Sequence, residues 1–465
     1  MSDIINTVIL AAGKGTRLNI DKAKPLCPAM GQTLVDFVIQ GIEGFSEKIS
    51  ETIEYNFVVG HEKEKVLRHI TENYKNLSLS FAHQKEQLGT GHALQTFFES
   101  NPKAWGNEYT LVVCADTPLI TSDVYLKLFD EIKDSNFDAV CACFITGNPT
   151  GYGRIEQKSI GFNIVEEKDA TDQQKEITAV NSALYFFKTS HIKNYINQIS
   201  NKNNSNELYL TDLFKEGFNV KTVSFSEEKL FLGVNNLVQL EEAESVLLQR
   251  KMESLMLSGV IIKNAKSQYI ETQVDIKPKV VIYPNVSLKG KTTIASGAIL
   301  EEGVIINNSE VGAGVKVRAY SYLEGAKISD DAVIGPMARL REGTIIEKNC
   351  KVGNFVEIKK AVLHEGSKVS HLSYVGDAQV GENTNIGCGF ITCNYDGANK
   401  HKTIIGKNSF IGSDCQMIAP VTIGDEAYVG SGSTINKDVP DHAFAIARQR
   451  QVNKENMASR FIKKK

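Results

Sequence analysis

The last third of the chain contains the stretch Ile282-Tyr-Pro-Asn-Val-Ser-Leu288-Lys-Gly-Lys-Thr-Thr-Ile294-Ala-Ser-Gly-Ala-Ile-Leu300-Glu-Glu-Gly-Val-Ile-Ile306, in which an aliphatic residue recurs every six positions. The period begins at about Ile276 and continues to Ile435. Some repeats are one residue short, and a polar excursion interrupts the period at about 393–403. A six-residue repeat is neither the period of a helix nor sustained strand alternation. It predicts a parallel β-helix, in which three hexapeptides form one triangular coil and the aliphatic side chains stack inside.

Glycine often follows the aliphatic residue of a hexapeptide, and there we expect the backbone to turn tightly. The pairs are Ile334-Gly335, Val352-Gly353, Val375-Gly376, Ile411-Gly412 and Val429-Gly430. A prism of this kind presents flat faces that commonly trimerise, so we expect a closed ring of subunits.

The composition excludes several classes of protein. The chain has 465 residues, too many for one core, with 42% apolar and 23% charged residues and a net charge of -3. Two or more domains are therefore expected, without a nucleic-acid or membrane partner. The apolar run from Val8 to Ala12 is too short for a signal peptide or a membrane span. The eight cysteines lack zinc-like spacing, which favours a cytoplasmic protein with reduced thiols.

The N-terminal part begins with an apolar strand that runs into a glycine-rich loop, from Leu10 to Arg17. Backbone N–H groups of such a loop can face a phosphate, and the cations Lys14 and Arg17 can neutralise its charge. A lone Gly-x-Gly is weak evidence, and neither the P-loop nor the dinucleotide fingerprint fits this loop. A third cation, Lys24, follows at a fixed distance and strengthens the prediction of a phosphate site.

Strands and helices alternate in the next hundred residues, which predicts a doubly wound α/β domain. The predicted strand Tyr109–Cys114 ends just before Asp116. A carboxylate at the C-terminal edge of such a sheet, beside a phosphate loop, suggests a Mg²⁺ ligand. The loop from Gln84 to Ala93 can approach a ligand through its glycines, and Gln84 can read a base edge. Taken alone, however, this loop is better explained as a helix-entry turn.

Several of these motifs together carry a specific resemblance. The stretch Leu10-Ala-Ala-Gly-Lys-Gly-Thr-Arg17, with Lys24 and Asp116, resembles the sugar-nucleotide pyrophosphorylase family. Further motifs narrow the resemblance: Gln84–Ala93, Gly151-Tyr-Gly-Arg154, Glu166 with Lys168-Asp-Ala-Thr171, Asn181 and Gly233-Val-Asn-Asn236. Together with the hexapeptide repeat, nearly the whole chain is similar to the bacterial bifunctional N-acetylglucosamine-1-phosphate uridylyltransferase and glucosamine-1-phosphate N-acetyltransferase family.

The resemblance implies three parts. Residues 1–232 form an α/β doubly wound nucleotidyltransferase domain, and residues 260–465 form a left-handed parallel β-helix with a C-terminal tail. Residues 233–259 form a linker helix, because apolar residues recur there at helical spacing and Gly259 suits a C-terminal cap.

In the first domain the resemblance implies that UTP and N-acetylglucosamine 1-phosphate react with Mg²⁺ as cofactor. Arg17 and Lys24 act on the triphosphate, and Asp116 and Asn235 hold the metal. The implied substrate-binding residues are Leu10, Ala11, Ala12, Gly13, Lys24, Gln84, Gly89, Thr90, Gly153, Glu166, Asn181 and Asn235. One departure is Cys114-Ala115, where the family usually has Tyr-Gly, so the sugar contact of that tyrosine is lost.

In the β-helix, polar side chains converge within about four coils, around the motif Thr392-Cys-Asn-Tyr-Asp-Gly397. The resemblance implies that His371 is the catalytic base and that Glu357 hydrogen-bonds its imidazole. The implied amino-sugar residues are Arg341, Lys359, Tyr374, Asn385, Asn394 and Tyr395. The implied acetyl-CoA residues are Cys388, Ser413, Ser431 and Arg448, with Cys388 and Ser431 at positions where the family usually has alanine.

The sequence therefore predicts a bifunctional homotrimeric enzyme that acetylates glucosamine 1-phosphate from acetyl-CoA and then couples the product to UTP. One alternative is a monofunctional sugar-1-phosphate nucleotidyltransferase whose β-helix serves only oligomerisation, and His371, Asn394 and Tyr395 argue against it. Another is a non-enzymatic assembly protein, which would not need the N-terminal cations and Asp116.

Overall fold

The computed structural model describes residues 4–13, 15, 18, 20 and 22–462. The predicted site residues Lys14 and Arg17 lie outside this set. The chain divides into two compact units, Met1–Leu247 and Leu248–Lys465.

The first unit is built on a mixed β-sheet with the strand order β11-β7-β10-β6-β1-β4-β5, and β8 and β9 attach beside β10. A separate hairpin consists of β2 and β3. The strands are β1 (Ile4–Ala11), β2 (Pro28–Ala29), β3 (Gln32–Thr33), β4 (Thr52–Val59), β5 (Leu79–His83), β6 (Tyr109–Cys114), β7 (Ala139–Ile145), β8 (Arg154–Gln157), β9 (Phe162–Val165), β10 (Ala179–Lys188) and β11 (Val220–Phe225).

Helices follow most of these strands. They are α1 (Leu34–Ser46), α2 (Lys63–Asn73), α3 (Thr90–Ser100), α4 (Ser122–Ile132), α5 (Asp172–Lys175) and α6 (Thr189–Tyr195), and short 3-10 turns include Lys24–Leu26 and Leu210–Leu213. A further helix, α7 (Leu237–Leu257), contains the boundary between the two units. Among the described helices, none has both the length and the apolar character needed to cross a bilayer.

The central strand β1 contributes side chains to an apolar core on each face of the sheet. Its alternate residues point to opposite faces, so that Ile5 and Ile9 lie in one apolar core and Val8 lies in a second core on the other side. β1 is parallel to β4 and β6, as the strand-helix alternation predicts, whereas β10 runs antiparallel to both β6 and β7. Because β1 and β6 are parallel neighbours, Leu10 lies opposite Cys114, and the segments that follow both strands meet at one sheet edge.

Helix α7 ends at a glycine cap. Gly259 has a φ of +94°, and its N–H donates to Met256 O while the N–H of Val260 donates to Leu255 O. This pair of bonds is the Schellman arrangement, in which glycine avoids the cost of a left-handed backbone.

The second unit is a three-sided parallel β-helix whose described strands form sheets of 11, 10 and 9 strands. The first face contains Ile261–Ile262, Val281–Ile282, Ile299–Leu300, Lys316–Val317, Val333–Ile334, Lys351–Asn354, Lys368–His371, Asn385–Ile386, Phe410–Ile411, Tyr428–Val429 and Phe444–Ala445. The second face contains Tyr269–Ile270, Ser287–Lys289, Ile305–Asn307, Tyr322–Glu324, Arg339–Leu340, Glu357–Lys359, Tyr374–Gly376, Ile391–Cys393, Gln416–Ile418 and Thr434–Ile435. The third face contains Asp275–Ile276, Thr293–Ile294, Glu310–Val311, Lys327–Ile328, Ile345–Ile346, Val362–Leu363, Ala378–Val380, Thr403–Ile405 and Val421–Ile423.

The predicted aliphatic series forms the core of this prism. On the first face, Ile282 pairs with Leu300 and Leu300 with Val317, and all three side chains are fully buried. The polar excursion falls between Cys393 and Thr403, where the chain leaves the second face and rejoins the third. The six-residue period thus gives the register of the coils directly.

Candidate functional site

The N-terminal glycine loop lines a cavity of about 350 Å³ at the C-terminal edge of β1 and β6. The cavity brings together most of the predicted nucleotide residues and Asp116. Its lining consists of Leu10, Ala11, Ala12, Gly13, Lys24, Pro25, Gln84, Gln87, Gly89, Thr90, Ala93, Cys114, Ala115, Asp116 and Glu207.

The loop that follows β5 closes one side of this cavity. The amide nitrogen of buried Gln84 donates to Gly89 O at 3.1 Å, and the amide nitrogen of Gln87 donates to Ala12 O at 2.7 Å. A side chain at Gly89, whose φ is +114°, would lie 2.5 Å from the carbonyl oxygen of Leu208. Glycine is therefore required there, because the backbone of the segment around Leu208 packs directly on the loop.

Two predicted metal ligands meet at Lys24, which lines the cavity. Lys24 Nζ forms an ion pair with Asp116 Oδ2 and donates to Asn235 Oδ1 at 2.8 Å. These residues are 92 and 211 positions away from Lys24 in the sequence. The structure therefore places the three predicted charged and polar residues within one contact cluster.

The predicted sugar residues of the first unit form a second group. The N–H of Asn181 donates to Gly153 O at 2.9 Å, and a side chain on Gly153 would approach Glu166 Oε2 at 3.5 Å. Glu166 borders a cavity of about 470 Å³ and accepts a hydrogen bond from Thr211 at 3.0 Å. Burial raises the pKa of Glu166, although the Thr211 bond opposes this shift.

Cys114 borders the nucleotide cavity but is not a nucleophile. Burial, followed by the charge of Asp116, raises the pKa of the thiol to about 12. The thiol is therefore protonated at neutral pH. A small side chain thus borders the cavity at the position where the family usually has tyrosine.

In the β-helix, the prediction that Glu357 hydrogen-bonds the His371 imidazole is wrong. His371 Nδ1 lies 3.0 Å from Asn354 Oδ1, whereas Glu357 pairs with Arg341 at 2.8 Å. The reason is the register of the coils, because Asn354 is the residue directly opposite His371 and Glu357 is opposite Tyr374. Because an amide oxygen only accepts hydrogen bonds, this contact requires the proton on Nδ1, and in the neutral ring the lone pair is then on Nε2.

The predicted acetyl-CoA residues lie along the same corner of the prism as His371. The N–H of Gly389, next to Cys388, donates to Leu372 O at 3.0 Å, next to His371. Further along the corner, the N–H of Ser413 donates to Ser431 Oγ at 3.2 Å. Arg448 Nη1 donates to Ser431 O at 3.0 Å. The predicted base and the predicted thioester site therefore share one edge.

The cations predicted to bind the sugar phosphate lie on the second face. Arg341 and Lys359 border a cavity of about 450 Å³, with Arg339, Lys360, Asn308, Glu324, Gly325 and Glu342. Lys400 lowers the pKa of Lys359 most, and desolvation and then the charge of Arg341 lower it further. Like charges held together in this way favour an anion between them.

The polar excursion forms a tight loop that presents Asn394 and Tyr395. Asn394 is 8% exposed and donates to Asp377 Oδ2 at 2.5 Å. Tyr395 is exposed and its hydroxyl donates to Gly397 O at 2.6 Å. Tyr374 lies on the second face, and Asn385 lies on the first face, where it pairs with Lys368 and Phe410. Asn385 and Tyr374 therefore lie on different faces of the prism.

Known protein families match both compact units of the chain. A nucleotidyl transferase family model matches residues 6–230, and a bacterial transferase hexapeptide model matches residues 325–360 and 402–437. A protein of Clostridioides difficile (strain 630), named bifunctional protein GlmU, is 40% identical over 96% of this chain and 96% of its own length. Proteins of the same name from Pelobacter propionicus and Listeria monocytogenes serotype 4a are 38% identical over 99% of both chains and 41% identical over 96% of both chains.

This chain belongs to the bifunctional GlmU family.

Membership of the GlmU family confirms the resemblance and the fold class that were predicted from the sequence. The GlmU relatives extend across both units, so an isolated nucleotidyltransferase with a purely oligomerising β-helix is not favoured. The hexapeptide match and the three parallel sheets agree with the predicted left-handed β-helix.

Two contacts of this GlmU-family chain were not predicted from its sequence. Asn354 precedes His371 by 17 residues, which is the length of one coil, so the repeat itself contained the signal. Lys400 lies within the excursion, and closure of that loop brings it beside Lys359. That closure depends on bonds such as the one from the N–H of His401 to Asn394 O, which the repeat does not predict.

Proposed function

We propose that this chain catalyses two successive transfers. In the first, acetyl-CoA acetylates the amine of glucosamine 1-phosphate; in the second, UTP transfers UMP to the N-acetylglucosamine 1-phosphate so formed, and pyrophosphate leaves. The observation that carries the proposal is that each compact unit has its own cluster of suitable side chains. Lys24, Asp116 and Asn235 meet beside the glycine loop, and His371 lies on the corner that carries Cys388 and Ser413.

Uridylyl transfer needs positioning and charge neutralisation rather than a protein nucleophile. An oxygen of the sugar phosphate attacks the α-phosphorus of UTP, a new P–O bond forms, and the bond to pyrophosphate breaks. The backbone of Leu10–Gly13 and the ammonium of Lys24 line the cavity where the triphosphate would lie. Gly153, Glu166 and Asn181 would hold the sugar beside it.

The residues present fit a Mg²⁺ ion. Asp116 and Asn235 each direct an oxygen at the same cation, the ammonium of Lys24, and hard oxygen donors are those that Mg²⁺ prefers. The described residues contain no cluster of three or more His, Cys, Asp or Glu side chains suited to a metal. Phosphate oxygens of UTP would therefore complete the ligand set, as is usual for Mg²⁺. When bound, the ion neutralises charge on the triphosphate.

Acetyl transfer needs a base, because an ammonium group is not a nucleophile. His371 Nε2 takes the proton while the amine nitrogen attacks the thioester carbonyl, the C–N bond forms, and the C–S bond breaks to release CoA. Asn354 holds the imidazole through Nδ1. Arg341, Lys359 and Lys400 supply positive charge for the sugar phosphate.

The homotrimer is part of the same proposal. Four large apolar side chains, on consecutive coils of one corner, are between 47% and 62% exposed: Tyr320, Met337, Phe355 and Leu372. Such a contiguous apolar row supports burial against another copy of the chain. A cytoplasmic location also belongs to the proposal, since all eight cysteines are unpaired.

The test measures both half-reactions on one preparation of each variant. His371→Ala should lower acetyl transfer by about 10²- to 10⁴-fold, the usual contribution of a general base, and leave uridylyl transfer from supplied N-acetylglucosamine 1-phosphate unchanged. Asp116→Ala should remove uridylyl transfer and leave acetyl transfer unchanged. Near-normal acetylation by His371→Ala, or substantial uridylyl transfer by Asp116→Ala with excess Mg²⁺, would refute the respective assignment.

A further inference from the structure

The ammonium of Lys24 lies at the point where the two proposed metal ligands converge. It donates to Asn235 Oδ1 at 2.8 Å and forms an ion pair with Asp116 Oδ2. The side chains of Lys24 and Asp116 are only 14% and 21% exposed. The ammonium of Lys24 thus already contacts Asp116 Oδ2 and Asn235 Oδ1, the two proposed metal-binding oxygens, at a poorly solvated site.

The position of Lys24 is fixed by its surroundings. It is the first residue of a 3-10 turn and precedes Pro25, which restricts the backbone there. A side chain at Gly15, whose φ is +63°, would come within 2.9 Å of Lys24 Cβ. Gly15 therefore packs against the stem of the lysine, whose ammonium pairs with Asp116.

The orientation of the Asn235 amide is fixed as well. Asn235 Nδ2 donates to Gly233 O at 3.3 Å, and the backbone N–H of Asn235 donates to Gln239 Oε1 at 2.8 Å. Oδ1 is left to face Lys24. The N–H of Val234 donates to Asp116 O at 2.9 Å, so the segments carrying the two oxygens are joined to each other independently of any cation.

We propose that Lys24 is a built-in counter-cation of the metal site, which a divalent ion must displace before it can bind Asp116 and Asn235. Two positive centres cannot share these oxygens, because their repulsion at such short distances is strong in a poorly solvated site. The displaced ammonium then turns to the nucleotide phosphates, whose negative charge compensates for the lost ion pair. The metal alone is consequently a weak ligand, and the nucleotide promotes its entry. This inference rests on the proposed Mg²⁺ site.

The test measures binding of Mn²⁺ alone, without nucleotide, to the full chain, by electron paramagnetic resonance of the free ion. Lys24→Met removes the competing charge and should tighten Mn²⁺ binding by roughly tenfold or more, within the range typical of coupled binding equilibria. Lys24→Gln, which keeps a hydrogen-bonding group, should show the same direction and replaces Lys24→Met if that variant fails to fold. Lys22→Met, an exposed lysine two positions away, should bind Mn²⁺ as the parent does.

The result separates this inference from the proposed site. If Asp116→Ala loses Mn²⁺ binding while the Lys24 variants bind it no more tightly than the parent, Asp116 is a ligand and the counter-cation role of Lys24 is overturned. If Asp116→Ala binds Mn²⁺ as well as the parent, the metal site itself is elsewhere and both proposals fail.

Discussion

Asn354 Oδ1 lies 3.0 Å from His371 Nδ1, one coil away on the same corner of the β-helix. A neutral carboxamide in this position selects the tautomer that leaves Nε2 unprotonated, but it adds no negative charge beside the ring. The carboxylate of Glu357 is paired with Arg341 instead. Among the residues that the structure describes, the imidazole is therefore held by a carboxamide rather than by a carboxylate.

Replacement of Asn354 tests this arrangement. Asn354→Ala should lower the rate of acetyl transfer roughly tenfold, less than loss of the base itself, because the ring is no longer held in one tautomer. Asn354→Asp should keep the orientation but favour the protonated ring through its charge. The acid limb of the pH–rate profile should then move to higher pH, while uridylyl transfer is unchanged. Coincident profiles for Asn354→Asp and the parent would contradict the positioning role.

Two glycines on the first face differ in how closely another coil approaches them. A side chain on Gly353 would lie 1.8 Å from the carbonyl oxygen of Ser370, whereas one on Gly430 would meet its neighbours at an ordinary 3.6 Å. Gly353→Ala should therefore destabilise the β-helix by about 3 kcal/mol, at the upper end of overpacking costs. Gly430→Ala should range from neutral to about 1 kcal/mol stabilising.

Urea unfolding followed by far-UV circular dichroism measures this pair of variants. The single tryptophan, Trp105, lies in the first unit, where it stacks on Phe98, so its fluorescence reports that unit separately. The fluorescence transition should be unchanged in both variants. Equal stability of Gly353→Ala and Gly430→Ala would show that the coil around Ser370 can move aside at little cost.

These glycines also show what the sequence can and cannot predict. The six-residue period gives the buried positions, because burial follows the repeat itself. The reason for each glycine differs, however: Gly335 has a φ of +93°, while Gly353 is required by the approach of Ser370. The partner of His371, by contrast, follows from the repeat, because Asn354 precedes His371 by one coil of 17 residues. The antiparallel β10 instead depends on pairing that strand-helix alternation alone does not specify.

Cys388 is exposed on the corner that carries His371, and the N–H of Asp414 donates to its carbonyl oxygen at 2.7 Å. A bulky adduct on its sulfur should obstruct the thioester of acetyl-CoA. We expect a maleimide to slow acetyl transfer and acetyl-CoA to protect against labelling. Cys388→Ala is the matched control and should stay active and insensitive to the reagent. Equal labelling with and without acetyl-CoA, mapped by peptide mass, would remove Cys388 from the site.

Glu166 should make the stability of the first unit depend on pH. Burial raises its pKa, Thr211 opposes the shift, and the charges of Asp169 and Asp212 add to it. The folded protein thus holds this proton more tightly than the unfolded chain does. The stabilisation is complete below the ordinary carboxyl pKa of about 4.3 and is lost as the pH rises through the raised value.

Glu166→Gln carries no charge at any pH and should remove this dependence. At pH 8 its thermal midpoint, followed by Trp105 fluorescence, should exceed that of the parent by roughly 2–4 °C for each kcal/mol that removal of the buried charge adds to the free energy of unfolding. The difference between the two midpoints should shrink as the pH falls towards 4.5. The matched control is Glu156→Gln, because a hydrogen bond from Lys158 lowers the pKa of Glu156. That variant should be less stable than the parent at pH 8 and equal to it in acid. If Glu166→Gln and the parent keep a constant difference from pH 4.5 to pH 8, Glu166 does not hold its proton in the folded protein.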